Sequence, residues 1–271
     1  MADRARHELR LRVISAGVLA PVAVAAALAG GLVFAGIVLV IALGLAWEWG
    51  NLVAAPAWGN AVAVVAAWLA AVVHGPVLAL TVLVIAAAAV WAILRHAVGP
   101  SKAGWTAGGA LYIGVPAVAI LALRARPEDG AILVIGVMLA VWSTDTAAFL
   151  VGRAVGGPRL APGWSPGKTW AGAIGGVLGA GVVAALGIAF DFAKTPLLFI
   201  ALVIVLSIVS QLGDLAESVI KRHFGRKDSG AVIPGHGGLF DRLDSLLVAA
   251  PVLALVMALG GPGSWLVMGV P

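Results

Sequence analysis

Two sets of polar side chains recur at helical spacing in the second half of the chain. Intervals of three and four residues place one set on a single helix face: Ser210, Asp214, Glu217, Ser218 and Lys221. The same spacing opens the next apolar segment, in Asp241, Asp244 and Ser245. Carboxylates and hydroxyls are hard oxygen ligands, which suit Mg²⁺ better than a soft metal. The two faces therefore predict a magnesium site, with a second cation as an open alternative.

Cationic side chains beside these carboxylates suit phosphate oxygens: Lys221, Arg222, Arg226, Lys227 and Arg242. Glycines on both sides of His236 allow backbone N–H groups to approach a ligand closely. His236 itself suits a hydrogen bond to a phosphate, or a proton held near neutral pH. These features predict a site for a Mg²⁺–polyphosphate complex. The competing interpretation is a solvated basic loop attracted to anionic lipid.

A second glycine-rich stretch ends in Ser165-Pro166-Gly167-Lys168-Thr169. It matches the phosphate-binding pattern Gly-x-x-x-x-Gly-Lys-Thr only in part, because position 162 is proline. No strand is expected before it in an all-helical chain, so we reject an ATPase of that type. Lys168, with its hydroxyl neighbours, remains a candidate phosphate contact.

Three acidic residues lie in or beside apolar segments: Glu48, Asp145 and Asp214. An ionisable group at membrane depth is costly and suggests a function. Asp145 precedes Gly152 by seven residues, so it is expected about 10 Å below the membrane edge. The alternative for each is a buried carboxylate paired with an arginine or a backbone donor. Glu48, between two tryptophans, either caps the site or lies at the membrane interface.

The elements that position these residues follow from the composition. The 271 residues are 62% hydrophobic and 11% charged, with a mean hydropathy of +1.10. Soluble domains are about 45–50% apolar and about 25% charged, so a soluble, disordered or collagen-like protein is excluded. The chain has no cysteine, which excludes a disulfide scaffold and thiolate chemistry. An integral membrane protein remains, because the placement of the +5 net charge fits membrane topology rather than nucleic-acid binding.

The apolar segments predict an all-α, polytopic helical bundle of about nine transmembrane helices. They run over 13–29, 31–47, 58–73, 76–94, 104–123, 130–151, 172–190, 196–216 and 244–261. We expect a single membrane domain that spans residues 1–271. Within it, residues 1–130 form anchoring helices, and residues 131–261 form a catalytic half with two long loops, 152–171 and 217–243.

The placement of lysine and arginine predicts the orientation. With the N-terminus in the cytoplasm and alternating sides, only Arg124, Arg126 and Lys194 of the 17 basic residues lie on the far side. A cleaved signal peptide over the first 30 residues is the alternative, but its removal would reverse this charge bias. We therefore expect a multi-pass protein of the cell's inner membrane, with both long loops and the site facing the cytoplasm.

A gapless stretch from Ser218 to Asp244 resembles the signature of the phosphatidate cytidylyltransferases. It contains Ser218-Val219-Ile220-Lys221-Arg222, Lys227-Asp228-Ser229-Gly230 and Ile233-Pro234-Gly235-His236-Gly237-Gly238-Leu239-Phe240-Asp241-Arg242-Leu243-Asp244. The stretch 211–217, Asp145 and the stretch 165–170 are similar to further blocks of that family. The resemblance covers about residues 140–250.

The resemblance implies that the protein catalyses the reaction of CTP with phosphatidate at the membrane surface, which gives CDP-diacylglycerol and pyrophosphate. Our hypothesis for the metal is that Asp214 and Asp241 hold Mg²⁺, with Asp145 acting through a second ion or a water. Phosphates are assigned to Lys168, Lys221, Arg222 and Arg242, while His236 and Lys227 orient the triphosphate or the lipid phosphate. Glu217, Ser218 and Asp244 support the metal ligands. The remaining substrate-binding candidates are Ser165, Thr169, Asp228, Gly237 and Gly238.

Two alternatives belong to other classes. A transporter with intramembrane carboxylates would show internal repeats and a site near the midplane, and no repeat is evident. A CDP-alcohol phosphotransferase would carry its own aspartate pattern, which is absent from the sequence. The oligomeric state is left open, with a homodimer among the alternatives.

Overall fold

Apolar helices dominate the computed structural model, which describes residues 17–193, 195–230 and 237–260. Within these residues eight helices are long and apolar enough to cross a membrane, and a shorter apolar helix precedes them. The predicted polytopic helical bundle is therefore confirmed. The shorter helix corresponds to the first predicted span, of which residues 13–16 lie outside the described residues.

The helices have the following bounds: α1 Gly17–Ala29, α2 Gly31–Val53, α3 Ala57–His74, α4 Pro76–Ala97, α5 Pro100–Arg124, α6 Gly130–Val155, α7 Trp170–Ala189, α8 Pro196–His223 and α9 Phe240–Gly260. Several helices extend further than their apolar segments predicted, and two of these extensions carry candidate site residues. α8 continues from residue 216 to His223, and α9 begins at Phe240 instead of residue 244. Their polar turns are helical, so helix takes up residues 217–223 and 240–243 of the predicted loop 217–243. The remaining residues, 224–239, are called here the connecting segment, of which 231–236 lie outside the described residues.

The predicted loop 152–171 is largely regular structure. α6 continues to Val155, and the strands β1 (Arg159–Ala161) and β2 (Ser165–Thr169) form an antiparallel pair before α7. A tight turn joins the strands, because the amide of Trp164 donates to the carbonyl of Ala161 at 3.2 Å. The expectation that the chain contains no strand is therefore wrong. Lys168 lies within the second strand rather than in a loop after one, so the rejection of a phosphate-binding P-loop stands.

The chain divides into two compact units. The first unit comprises Met1–Ala125 and Phe224–Leu243, and the second comprises Arg126–His223 and Asp244–Pro271. In the first unit, small residues of α3, α4 and α5 form an apolar core around the fully buried Leu83. Arg124 ends α5 and donates to the carbonyls of Ala27 and Leu28, which are left without helical partners at the end of α1.

Glycines allow α6 and α7 of the second unit to pack closely. A methyl group on Gly172 would lie 2.8 Å from the carbonyl oxygen of Ala148, and one on Gly176 would lie 3.1 Å from that of Thr144. Small residues at such interfaces let helix backbones approach each other, which is a main source of stability in membranes. This packing holds Asp145 of α6 and the strand before α7 in one framework.

We predict that Gly172→Ala destabilises the protein by about 1–3 kcal/mol, because a backbone carbonyl cannot move aside as a side chain can. Thermal unfolding in detergent should show a lower midpoint. Gly181→Ala is the matched control on the same helix, since a methyl group there meets nothing within 4 Å. Equal midpoints for the two variants would contradict close packing at Gly172.

Candidate active site

Three carboxylates of the second unit form a compact acidic cluster: Asp214 and Glu217 of α8, and Asp244 of α9. Each offers one oxygen, and these oxygens lie within 4.8 Å of one another. Asp244 and Glu217 are buried, and Asp214 is partly exposed. The spacing of Asp214 and Glu217 along α8 places both on one face, as the sequence predicted.

Two lysines neutralise part of this charge. Lys168 of β2 places its Nζ 2.5 Å from Oδ2 of Asp214, and Lys221 places its Nζ 2.6 Å from Oε2 of Glu217. With all five groups ionised, these three carboxylates and two ammonium groups together carry one more negative than positive charge. The sequence assigned both lysines to phosphates, and the structure adds that each one is also paired with a cluster carboxylate.

A cavity of about 670 Å³ opens beside the cluster. Asp145, Lys168 and Asp214 line it, together with the glycine-rich stretch around Gly156 and Gly157. Arg153 and Arg159 add two cationic side chains to its wall. The cavity has the mixed polar and apolar lining that a ligand with a charged head requires.

Hydroxyl groups hold the elements around this cavity in place. Thr169 caps α7, because its Oγ1 accepts a hydrogen bond from the amide of Gly172 at 3.0 Å. Ser245 of α9 donates to Oδ1 of Asp145 at 3.5 Å. Thr144 donates to the hydroxyl of Ser207 at 2.9 Å, which ties α6 to α8. Thr169, predicted to bind substrate, therefore has a structural contact as well.

Asp241 lies in the first unit, where its side chain organises the connecting segment. Its Oδ2 accepts hydrogen bonds from the amide of Gly238 at 2.8 Å and from the amide and hydroxyl of Ser229 at 3.2 and 3.1 Å. A carboxylate that reaches back to the amides before its own helix stabilises the helix start. The assignment of Asp241 to Mg²⁺ stays a prediction, and these hydrogen bonds are a role that the sequence did not reveal.

Glu48 is also an acceptor for this region of the first unit. It is 1% exposed, and its oxygens accept hydrogen bonds from the amides of Leu239 and Phe240 at 2.7 and 2.9 Å. These bonds match the alternative in which the acid is a buried carboxylate paired with backbone donors. The signal in the sequence was the cost of an acid inside an apolar segment, but nothing there named its partners.

The remaining predicted residues divide between the units. The second unit contains Ser165 on β2 and Ser218 and Arg222 on α8, where Arg222 donates to the carbonyl of Trp164 at 3.3 Å. The first unit contains Lys227, Asp228, Gly237, Gly238 and Arg242. Lys227, Asp228 and Arg242 are exposed. His236 lies outside the described residues.

The acidic cluster suits a divalent cation. Its donors are carboxylate oxygens, which Mg²⁺ prefers, and they keep an excess negative charge after both lysines are counted. Three buried or partly buried carboxylates this close repel one another, which raises the free energy of the folded protein. A bound cation would offset this repulsion. The ligand set that this favours is Asp214, Glu217 and Asp244.

Comparison with known proteins gives a consistent result. The model described as "Cytidylyltransferase family" matches residues 10–259. The phosphatidate cytidylyltransferase of Brucella suis biovar 1 (strain 1330) is 41% identical over 93% of this chain and 94% of its own length. That of Brucella abortus biovar 1 (strain 9-941) is 40% identical with the same coverage, and that of Bacillus subtilis (strain 168) is 38% identical over 58% of this chain and 59% of its own.

Proposed function

We propose, because this chain belongs to the cytidylyltransferase family, that it is a membrane nucleotidyltransferase which makes CDP-diacylglycerol from CTP and phosphatidate. The observation that carries the proposal is the Lys168–Asp214 ion pair, where a cationic strand residue meets the acidic cluster at the wall of a large cavity with a mixed polar and apolar lining. Such a combination suits two anionic substrates. The family favours an enzyme over the transporter considered from the sequence.

The proposed reaction is one displacement at phosphorus. A phosphate oxygen of phosphatidate forms a bond to the α-phosphorus of CTP, and the bond from that phosphorus to the oxygen bridging to the β-phosphate breaks. Pyrophosphate leaves with the electron pair. No general base is required, because the attacking phosphate is already ionised near neutral pH.

Catalysis of this kind depends on positioning and on neutralising charge. Lys168 and Lys221 are already placed by their carboxylate partners, so an incoming phosphate meets ammonium groups that need little reorganisation. Arg153 and Arg159 of the cavity wall are further candidates for phosphate contacts. Arg222, Arg242 and Lys227 keep the phosphate roles that the sequence assigned to them.

We further propose that the bound cation is Mg²⁺. Asp214, Glu217 and Asp244 would hold it, and Asp241 remains a proposed ligand from the sequence. When bound, the ion would supply positive charge to the phosphate oxygens as charge develops on them. The side chains around it keep the carboxylates in place: Lys168 orients Asp214, and Lys221 orients Glu217.

The eight apolar helices make the chain a multi-pass membrane protein. We propose the cell's inner membrane and a site that faces the cytoplasm, which the distribution of lysine and arginine supports. In this orientation the nucleotide enters from water and the lipid enters from the bilayer. A homodimer stays a proposal with no support from contacts.

Labelled CTP tests the proposed reaction directly. Purified protein in mixed micelles with phosphatidate should move label from the α-phosphorus of CTP into chloroform-extractable lipid. Label at the γ-phosphorus should stay in the aqueous phase as pyrophosphate. Label from the γ-phosphorus in the lipid would indicate a lipid kinase. If neither form of labelled CTP gives label in the lipid, the proposed function is overturned.

A further inference from the structure

A single buried carboxylate, Glu48 of α2, contacts the first unit's connecting segment at Ser229 and at its last residue, Leu239. Its Oε1 accepts from the amide of Leu239 at 2.7 Å, and its Oε2 accepts from the amide of Phe240 at 2.9 Å. The hydroxyl of Ser229 donates to the same Oε2 at 3.2 Å. Ser229 is separated from Glu48 by 181 residues, so the contact is tertiary and not local.

These hydrogen bonds address a known weakness of helices. The first four amides of α9 have no partners within their own helix, and the N-terminus carries a partial positive charge. Glu48 satisfies the amide of Phe240, the first residue of α9, and the amide just before it. The buried charge thereby gains the donors that make its burial tolerable.

Two glycines beside Glu48, Gly230 and Gly238, have no room for a side chain. A methyl group on Gly230 would lie 2.7 Å from Oε1 of Glu48, and one on Gly238 would lie 2.8 Å from its Oε2 and would collide with the hydroxyl of Ser229. The two glycines lie on the two sides of residues 231–236. The chain therefore approaches the carboxylate on both sides of residues 231–236.

Ser229 links Glu48 to Asp241. Its hydroxyl lies 3.2 Å from Oε2 of Glu48 and 3.1 Å from Oδ2 of Asp241, and its amide also donates to Asp241. One hydroxyl proton is shared between two carboxylates. Moving Glu48 would therefore shift Ser229, and with it the contacts that orient Asp241.

We propose that Glu48 is a positioning residue for the transfer reaction: it holds Ser229 and the start of α9, and through them Asp241 and Gly238, which the sequence assigns to the metal and to the substrate. This inference rests on the proposed function. Glu48 acts through Ser229, Leu239 and Phe240 and touches neither substrate. It deepens the proposed function by naming the carboxylate that accepts from Ser229, Leu239 and Phe240 together.

Glu48→Gln is the sharpest variant. Glutamine has the same shape but only one acceptor oxygen, and its amino group would face an amide or hydroxyl that also donates. One buried donor loses its partner, so the KM for CTP or phosphatidate should rise roughly tenfold or more. Without substrates, the amides of Leu239 and Phe240 should exchange hydrogen roughly tenfold faster. Ser229→Ala should also raise KM and speed the exchange, with a smaller rise in KM. It replaces Glu48→Gln as the test variant if the glutamine variant does not fold.

Trp68→Phe is the matched control in the same unit. It removes one partly buried hydrogen bond, from the indole of Trp68 to the carbonyl of Ala35, near the opposite end of α2. Its thermal midpoint should fall, while both KM values and the exchange at Leu239 stay within about twofold of wild type. A merely structural role for Glu48 would lower the thermal midpoint and speed the exchange at Leu239, but it would leave both KM values unchanged.

The outcomes separate this inference from the proposed function. If the wild-type protein transfers no label from CTP, the proposed function fails whatever the variants do. If the wild type is active but Glu48→Gln and Ser229→Ala keep both KM values, the positioning role is overturned and the function stands, whether or not the amides exchange faster. Raised KM values together with fast exchange support the inference.

Discussion

Asp214→Asn should lower kcat by about two to three orders of magnitude, the range seen when one preorganised electrostatic contact is lost. Asp214 belongs to the acidic cluster and also holds Lys168, so the change removes a carboxylate charge and frees the lysine at once. The protein should still insert and fold, because asparagine has nearly the same shape. Initial rates at saturating substrates measure the effect.

Asp129→Asn is the matched control for this variant. It makes the same chemical change in the same unit, at a buried carboxylate that accepts two hydrogen bonds from Arg126 at 2.7 and 3.0 Å. Asp129 lies outside the cluster and the cavity, so its variant should lose stability and keep kcat within about twofold. A near-wild-type kcat for Asp214→Asn would remove Asp214 from the catalytic site.

Helical spacing explains why the acidic cluster could be anticipated. Asp214 and Glu217 are three residues apart, so any helix there brings them to one face, and their cost in an apolar segment marks them as functional. Asp244 was assigned a supporting role, yet its oxygen lies with the other two. The spacing predicted which residues share a face, but not which oxygens face each other.

Contacts between distant segments could not be predicted in the same way. The pair of Lys168 and Asp214 depends on a two-stranded hairpin that an all-helical expectation excluded. The end of α8 and the start of α9 were also predicted wrongly. Hydropathy identifies the apolar part of a helix, and it does not detect polar turns that continue the same helix. Glu48 was recognised as costly, but its donors come from the other end of the chain.

Removal of divalent cations should abolish activity, and added Mg²⁺ should restore it. CTP itself binds Mg²⁺, so this loss alone does not test the acidic cluster. The informative quantity is the free Mg²⁺ concentration that gives half the maximal rate at a fixed concentration of the magnesium–CTP complex. Asp244→Asn should raise that concentration by about 10–100-fold, a range already seen for residues that only orient metal ligands.

Asp241→Asn in the same titration distinguishes the two roles of Asp241. The three donors from Ser229 and Gly238 all meet its Oδ2, and an asparagine oxygen can still accept them, so this change mainly removes charge. A raised Mg²⁺ requirement would make Asp241 a ligand, as the sequence hypothesis holds. An unchanged requirement would leave Asp241 as the acceptor that orders the connecting segment. If Asp244→Asn also leaves the requirement unchanged, the acidic cluster is not the magnesium site.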